Sequence, residues 1–252
     1  MKAQFKYAFL TGIHARGAAF AVIFAMNLVF IIFGSLGLLP FAAHVTAVSL
    51  GGVAIGVMMA FNIIGDFAIA RRMFAAPGAY LYALTPVPRW KTLLASVITM
   101  AVLDLATMAV VITGEVWMSL NLSGIYFGDI FRDAARGNDL NWLMGLGVIL
   151  LMIAGYLLAV MIILFSVTAA KSILYKKSAS GFLAFLLACG CFYAVNLLWL
   201  IFAPFGEVWR FGIFITISIP DALLPLCILL TLLEAAGMFI LTAKLMERKM
   251  NI

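Results

Sequence analysis

Two acids stand where acids are costly. Asp104 and Glu234 each lie near the centre of an apolar run long enough to cross a bilayer. A carboxylate at a helix centre costs roughly 2.5–3.5 kcal/mol on insertion scales, so each should face other helices or a wet cavity. Acids so placed act as proton or cation sites. Alternatively, hydroxyls of their own helix hold them: Thr107 three residues after Asp104, and Thr231 three before Glu234. With no basic partner expected inside any span, the two acids alone do not define a relay. Asn27, Asn62 and Asn196 are the other intramembrane polar candidates, each able to give an interhelical hydrogen bond of about 1 kcal/mol. Catalytic and metal chemistry find no comparable set. Cys189, Cys191 and Cys227 form no CxxC pair and His14 and His44 are isolated, so no disulfide frame, metal site or enzyme constellation is expected.

The elements that carry these residues follow from composition. The chain has 252 residues, of which 66% are hydrophobic and 10% charged, with a mean hydropathy of +1.20. Soluble domains hold roughly 45–50% apolar and about 25% charged residues, so a water-soluble fold is excluded and a polytopic membrane protein is expected. Residues 17–65 contain no Asp, Glu, Lys or Arg, a run of 49. As one helix it would be about 74 Å long against a hydrocarbon core of roughly 30 Å, so it must fold back. Pro40 and His44 mark the break. The expected architecture is all-α, a single transmembrane domain over 1–252 with six spans at about 18–39, 45–67, 92–114, 142–167, 181–203 and 222–243. A cleaved signal peptide is disfavoured because the first apolar run exceeds an h-region and no small-x-small site follows it.

Basic residues set the expected orientation. With both termini inside, 13 of the 16 Lys and Arg lie on the inner side, Arg16 among them, and only Arg132, Arg136 and Arg210 lie outside. This bias reads as an N-in, C-in multi-pass chain of a cell membrane, a bacterial cytoplasmic membrane in particular, and not as nucleic-acid binding.

The connecting segments add three expectations. Residues 1–17 place Phe5, Ala8, Phe9, Gly12 and Ile13 on one helical stripe, the pattern of an amphipathic interfacial helix. The inner loop 68–91 carries Phe74, Tyr80, Leu81, Tyr82 and Leu84 into the cytosol, where exposed apolar clusters mark docking surfaces. Within it, Gly78 follows Pro77 and breaks one helix, 78–84 can form a short second one, and Thr85 can cap span 3 with Pro86 in its first turn. An outer interfacial helix is expected at 123–137, and the apolar stretch 211–219, too short to cross, reads as re-entrant or interfacial. Span 2 also bears Gly52, Gly56 and Ala60 at four-residue intervals, a face suited to close helix packing.

The stretch Asp66…Gly78-Ala79-Tyr80-Leu81-Tyr82-Ala83-Leu84-Thr85-Pro86…Trp90-Lys91-Thr92-Leu93-Leu94-Ala95-Ser96 resembles the span 2–span 3 region of type-2 ABC exporter permeases. Ala79 interrupts the family's Gly-Tyr pair, and Val97 stands where a Lys often follows Ser96. The resemblance implies a permease subunit, itself not an enzyme, whose 78–84 segment is a coupling helix with Phe74, Gly78, Tyr80, Leu81, Tyr82, Leu84 and Pro86 as its partner-binding residues. It also implies a separate ATP-binding subunit that binds ATP and Mg, and a second permease copy, identical or related. No GxxxxGK[ST] occurs in this chain, so no nucleotide cofactor is expected on it. The alternative is a proton-coupled secondary transporter working through Asp104 and Glu234.

Overall fold

The computed structural model describes residues 2–36, 41–75, 88–123, 142–174, 180–199, 207–211, 214–218 and 223–249. These contain six helices: α1 (Lys2–Ser35), α2 (Phe41–Ala75), α3 (Arg89–Ser123), α4 (Trp142–Ile173), α5 (Ser180–Trp199) and α6 (Leu224–Lys249). Two strands, β1 (Glu207–Phe211) and β2 (Phe214–Ser218), lie between α5 and α6. Each of the six helices includes a stretch long and apolar enough to cross a membrane, from Ala8–Phe33 in α1 to Leu224–Glu247 in α6. The chain is therefore a multi-pass membrane protein, all-α across the bilayer. The charge-free run folds back where Pro40 predicts, since α1 ends at Ser35 and α2 begins at Phe41.

Two expectations change. The amphipathic segment 1–17 is not a separate element: α1 runs unbroken through Gly17 for 34 residues, about 51 Å. A single glycine costs a helix only about 1 kcal/mol, and the Arg16 charge that would have held this turn at the surface is buried. Along the expected stripe Phe5 and Ile13 are exposed while Ala8 and Gly12 are buried. Between α5 and α6, the stretch read as re-entrant or interfacial holds an antiparallel hairpin, paired from Glu207 with Ser218 to Phe211 with Phe214. Val, Ile, Thr, Trp and Phe dominate these strands, and residues of that kind favour a pleated ladder over a short helix.

The chain divides into two compact units, one of 2–69 with 98–140 and one of 70–97 with 141–252. In the first, Ile23 of α1, Ala54 and Met58 of α2 and Val111 of α3 form a buried cluster, flanked by Phe20, Phe61 and Met108. In the second, α4 packs against α5 and α6, and its stretch 160–164 is buried on every side. Hydroxyls there turn back onto their own helix: Thr168 Oγ1 donates to Leu164 O at 2.7 Å and Thr242 Oγ1 to Met238 O at 2.7 Å. This satisfies the donors without water, as an apolar surrounding requires.

Candidate functional site

Arg16 is the centre of the site. Its side chain is among the largest that are fully buried, with 1% of the residue exposed. Nε donates to Asn62 Oδ1 at 3.1 Å and Nη2 to Asn62 O at 3.2 Å. Nη2 also makes ion pairs with the carboxylates of Asp66 and, at 2.6 Å, Asp104. Asp66 and Asp104 are themselves buried, and both address the same Arg16 nitrogen. One guanidinium thus joins α1 to α2 and α3.

Asn62 extends the network. With Oδ1 accepting from Arg16, its Nδ2 donates to Thr107 Oγ1 at 3.0 Å, and the Thr107 hydroxyl donates in turn to Leu103 O at 2.9 Å. The amide orientation follows from the arginine, which can only donate. Arg16, Asn62, Asp66, Asp104 and Thr107 therefore form one connected polar set in which the arginine, the amide and the hydroxyl each have a role.

Two glycines make room for the guanidinium. A Cβ on Gly65 would lie 2.6 Å from Arg16 Cζ and Nη1, and one on Gly12 would lie 2.9 Å from Nη1 and 2.3 Å from Leu103 Cδ1. Any larger residue at either place would occupy space that the arginine fills. A buried ion cluster is costly unless its geometry is good; here close packing holds the guanidinium, whose Nε and Nη2 reach Asn62, Asp66 and Asp104, while Nη1 lies 3.5 Å from Gly12 O.

The expectation that no basic partner reaches Asp104 is thus overturned. Arg16 was assigned to the inner surface because it immediately precedes the charge-free run, but it lies inside the helix bundle. Thr107 does not hold the Asp104 carboxylate; its hydroxyl lies by the backbone oxygens of Leu103 and Asp104 and by Asn62. No local signal marked it: the charge-free run that Arg16 precedes reads the same whether that charge stays at the surface or is buried.

The remaining candidates separate. Asn27 is buried with Oδ1 unpartnered, its amide seated against Gly114, and it lines an apolar groove of about 320 Å³ with Phe24, Leu28 and Val110. Glu115 packs onto Gly51, where a Cβ would coincide with its carboxylate. Asn196 bonds its own helix at Phe192 O, 2.8 Å, and not a neighbouring one. Glu234 is hydrogen-bonded by Trp199, with its Oε2 unpartnered, while Thr231 donates to Cys227 O and not to the acid. Glu234 belongs to the second unit, the Arg16 network to the first. The small face of Gly52, Gly56 and Ala60 is exposed, with nothing within 4 Å of either glycine, so among the described residues of its unit no helix packs on it. Phe74 lies in the last turn of α2 with its side chain outside the described residues, as Gly78, Tyr80, Leu81, Tyr82, Leu84 and Pro86 are altogether, and most of 123–137 with them.

Fold and site together define a multi-pass membrane protein with a buried ionic network across its first three helices. No protein-family model, no curated protein and no solved structure matches the chain.

Proposed function

We propose that the chain is the membrane-spanning subunit of an ABC-type exporter, moving a substrate across a bacterial cytoplasmic membrane on ATP hydrolysed by a separate subunit. The observation that supports this reading is the ionic brace. Asp66 stands about 14 Å along α2 from its end at Ala75, and α3 begins at Arg89, so the braced helices are the two that the 76–87 segment joins. A push on that segment displaces α2 and α3 together, and Arg16 carries α1 with them. Without the brace, each helix would slide separately and the push would dissipate. Tyr80, Tyr82 and their neighbours supply the apolar contact on which the ATP-binding subunit bears, and a second permease copy completes the path.

Copurification with an ATP-binding subunit tests the proposal. The Tyr80→Ala plus Tyr82→Ala variant is expected to lose the partner while still inserting normally. Stable assembly of that variant, with unaltered stimulation of ATPase activity, refutes the docking role. The proton-coupled alternative has its own test: Asp104→Asn and Glu234→Gln that leave transport and its pH dependence unchanged would remove it.

A further inference from the structure

Asn27 is 4% exposed, and its Oδ1 accepts no hydrogen bond from the described residues. A buried amide oxygen left without a donor is unfavourable, the more so where the surroundings are apolar. Asn27 also lines the groove of about 320 Å³ between α1 and α3. These two helices run parallel. Arg16 meets Asp104, and 11 residues further along α1 Asn27 meets Gly114, 10 residues further along α3. The amide can sit there because position 114 is a glycine, where a Cβ would lie 2.6 Å from Asn27 Nδ2. Both residues fall within the stretches Ala8–Phe33 and Arg89–Val116, long and apolar enough to cross the membrane, toward their Phe33 and Val116 ends.

The chemistry of the groove narrows what it can hold. Among the described residues no Asp, Glu, Lys, Arg or His lines it, so nothing there offsets the cost of a charged group. Thr113, its other polar residue, donates its hydroxyl proton to Ala109 O at 2.6 Å. A water molecule needs two to four polar partners, and the remaining walls are apolar: Phe24, Leu28 and Ile31 on one side, Ala109 and Val110 on the other. The volume lies at the lower end of small-molecule sites, roughly 300–1,000 Å³. At about 30 Å³ per small non-hydrogen group, the share of one water in the liquid, it takes a chain of about ten.

The geometry points to a binding site for an uncharged membrane amphiphile with one hydroxyl. That hydroxyl donates to Asn27 Oδ1, which a turn of the amide about its Cβ–Cγ bond presents to the groove. The hydrocarbon chain lies between α1 and α3 against Phe24, Leu28 and Val110. Phe24 and Leu28 are about half-exposed, so the chain enters sideways from the bilayer. Asn27 stands about 16 Å along α1 from Arg16, so an occupant leaves the ionic brace in place. This goes beyond the exporter reading and stands or falls separately from it.

Photolabelling of the full chain in phosphatidylcholine nanodiscs tests the site. Two probes carry a diazirine in the chain: decanol, and undecane, in which a methyl group replaces the hydroxyl. Mass spectrometry locates the labelled peptides, and the readout is the ratio of alcohol to alkane labelling over 24–31 and 109–114. This ratio should be about two- to tenfold higher in wild type than in Asn27→Leu, as one hydrogen bond gives. Partitioning of the probes into the bilayer is the same for both proteins and cancels. Ala109→Phe fills the groove and should lower labelling there by both probes; it decides the matter if Asn27→Leu fails to insert. Equal ratios in wild type and Asn27→Leu overturn the proposal, as does labelling that Ala109→Phe leaves unchanged. Leu28→benzoylphenylalanine that couples to a second copy of the chain, and not to lipid, overturns it in favour of an interface between copies. None of these readouts depends on transport or on an ATP-binding subunit.

Discussion

Replacing Gly65 by alanine tests the packing at the centre of the site. The added methyl would sit 2.6 Å from Arg16 Cζ and Nη1 and 2.9 Å from Nε. The guanidinium cannot slide aside freely, because Asn62, Asp66 and Asp104 hold it. Alanine alone should favour the helix by about 1 kcal/mol, whereas overpacking costs about 1–3 kcal/mol and each charge-assisted hydrogen bond lost costs about 1.5–3 kcal/mol. With one such bond broken, the net destabilisation should be about 2–5 kcal/mol. Gly56→Ala is the control, since Gly56 lies on the same helix with nothing within 4 Å. Unfolding of both variants in mixed detergent micelles should leave Gly56→Ala as stable as wild type or about 1 kcal/mol more so and destabilise Gly65→Ala strongly. A double-mutant cycle with Arg16→Met should show coupling of about 1–3 kcal/mol, because the methyl costs little once the guanidinium is gone. Equal stability of Gly65→Ala and Gly56→Ala would refute the packing argument.

Arg16→Gln should lose about 3–5 kcal/mol by leaving the buried acids without their cation. Arg16→Lys should recover only part of this, because a single ammonium cannot reproduce both the Nε bond to Asn62 and the two carboxylate contacts; unfolding midpoints in micelles measure both. Gly51→Ala should expel the Glu115 carboxylate from its seat, and the reactivity of the displaced acid toward a water-soluble carbodiimide should rise relative to wild type.

Much of the fold was legible in the sequence because the bilayer imposes a simple rule on composition. The charge-free run over 17–65 had to fold back, and Pro40 marked the place between Ser35 and Phe41. The helices reach beyond the expected spans, as α2 does to Ala75, because polar and aromatic residues at an interface do not interrupt backbone hydrogen bonding. The site was half legible. Asp104 and Asn62 were visible as polar residues at apolar depth, but Arg16 resembled the other flanking basic residues. A charge at the end of an apolar run belongs either to the surface or to a partner 50 or 88 residues away, and local patterning does not separate the two cases. For 211–219, length excludes a crossing helix but does not distinguish a dipping loop from a hairpin, so the strand pairing was not legible.

The spacing of the brace along the chain also dictates an order of events during synthesis. Arg16 leaves the ribosome 88 residues before Asp104, a lag of about 4–18 s at about 5–20 residues per second. For the first 50 of those residues its guanidinium has no carboxylate to meet, and after that only Asp66, so the first helix must wait with this turn in contact with water until the brace is complete. It can sink to its final depth only once α3 has entered and brought the second acid alongside. The first helix to be made is thus the last of the three to settle, and a truncated chain ending before Asp104 should leave Arg16 open to water-borne reagents.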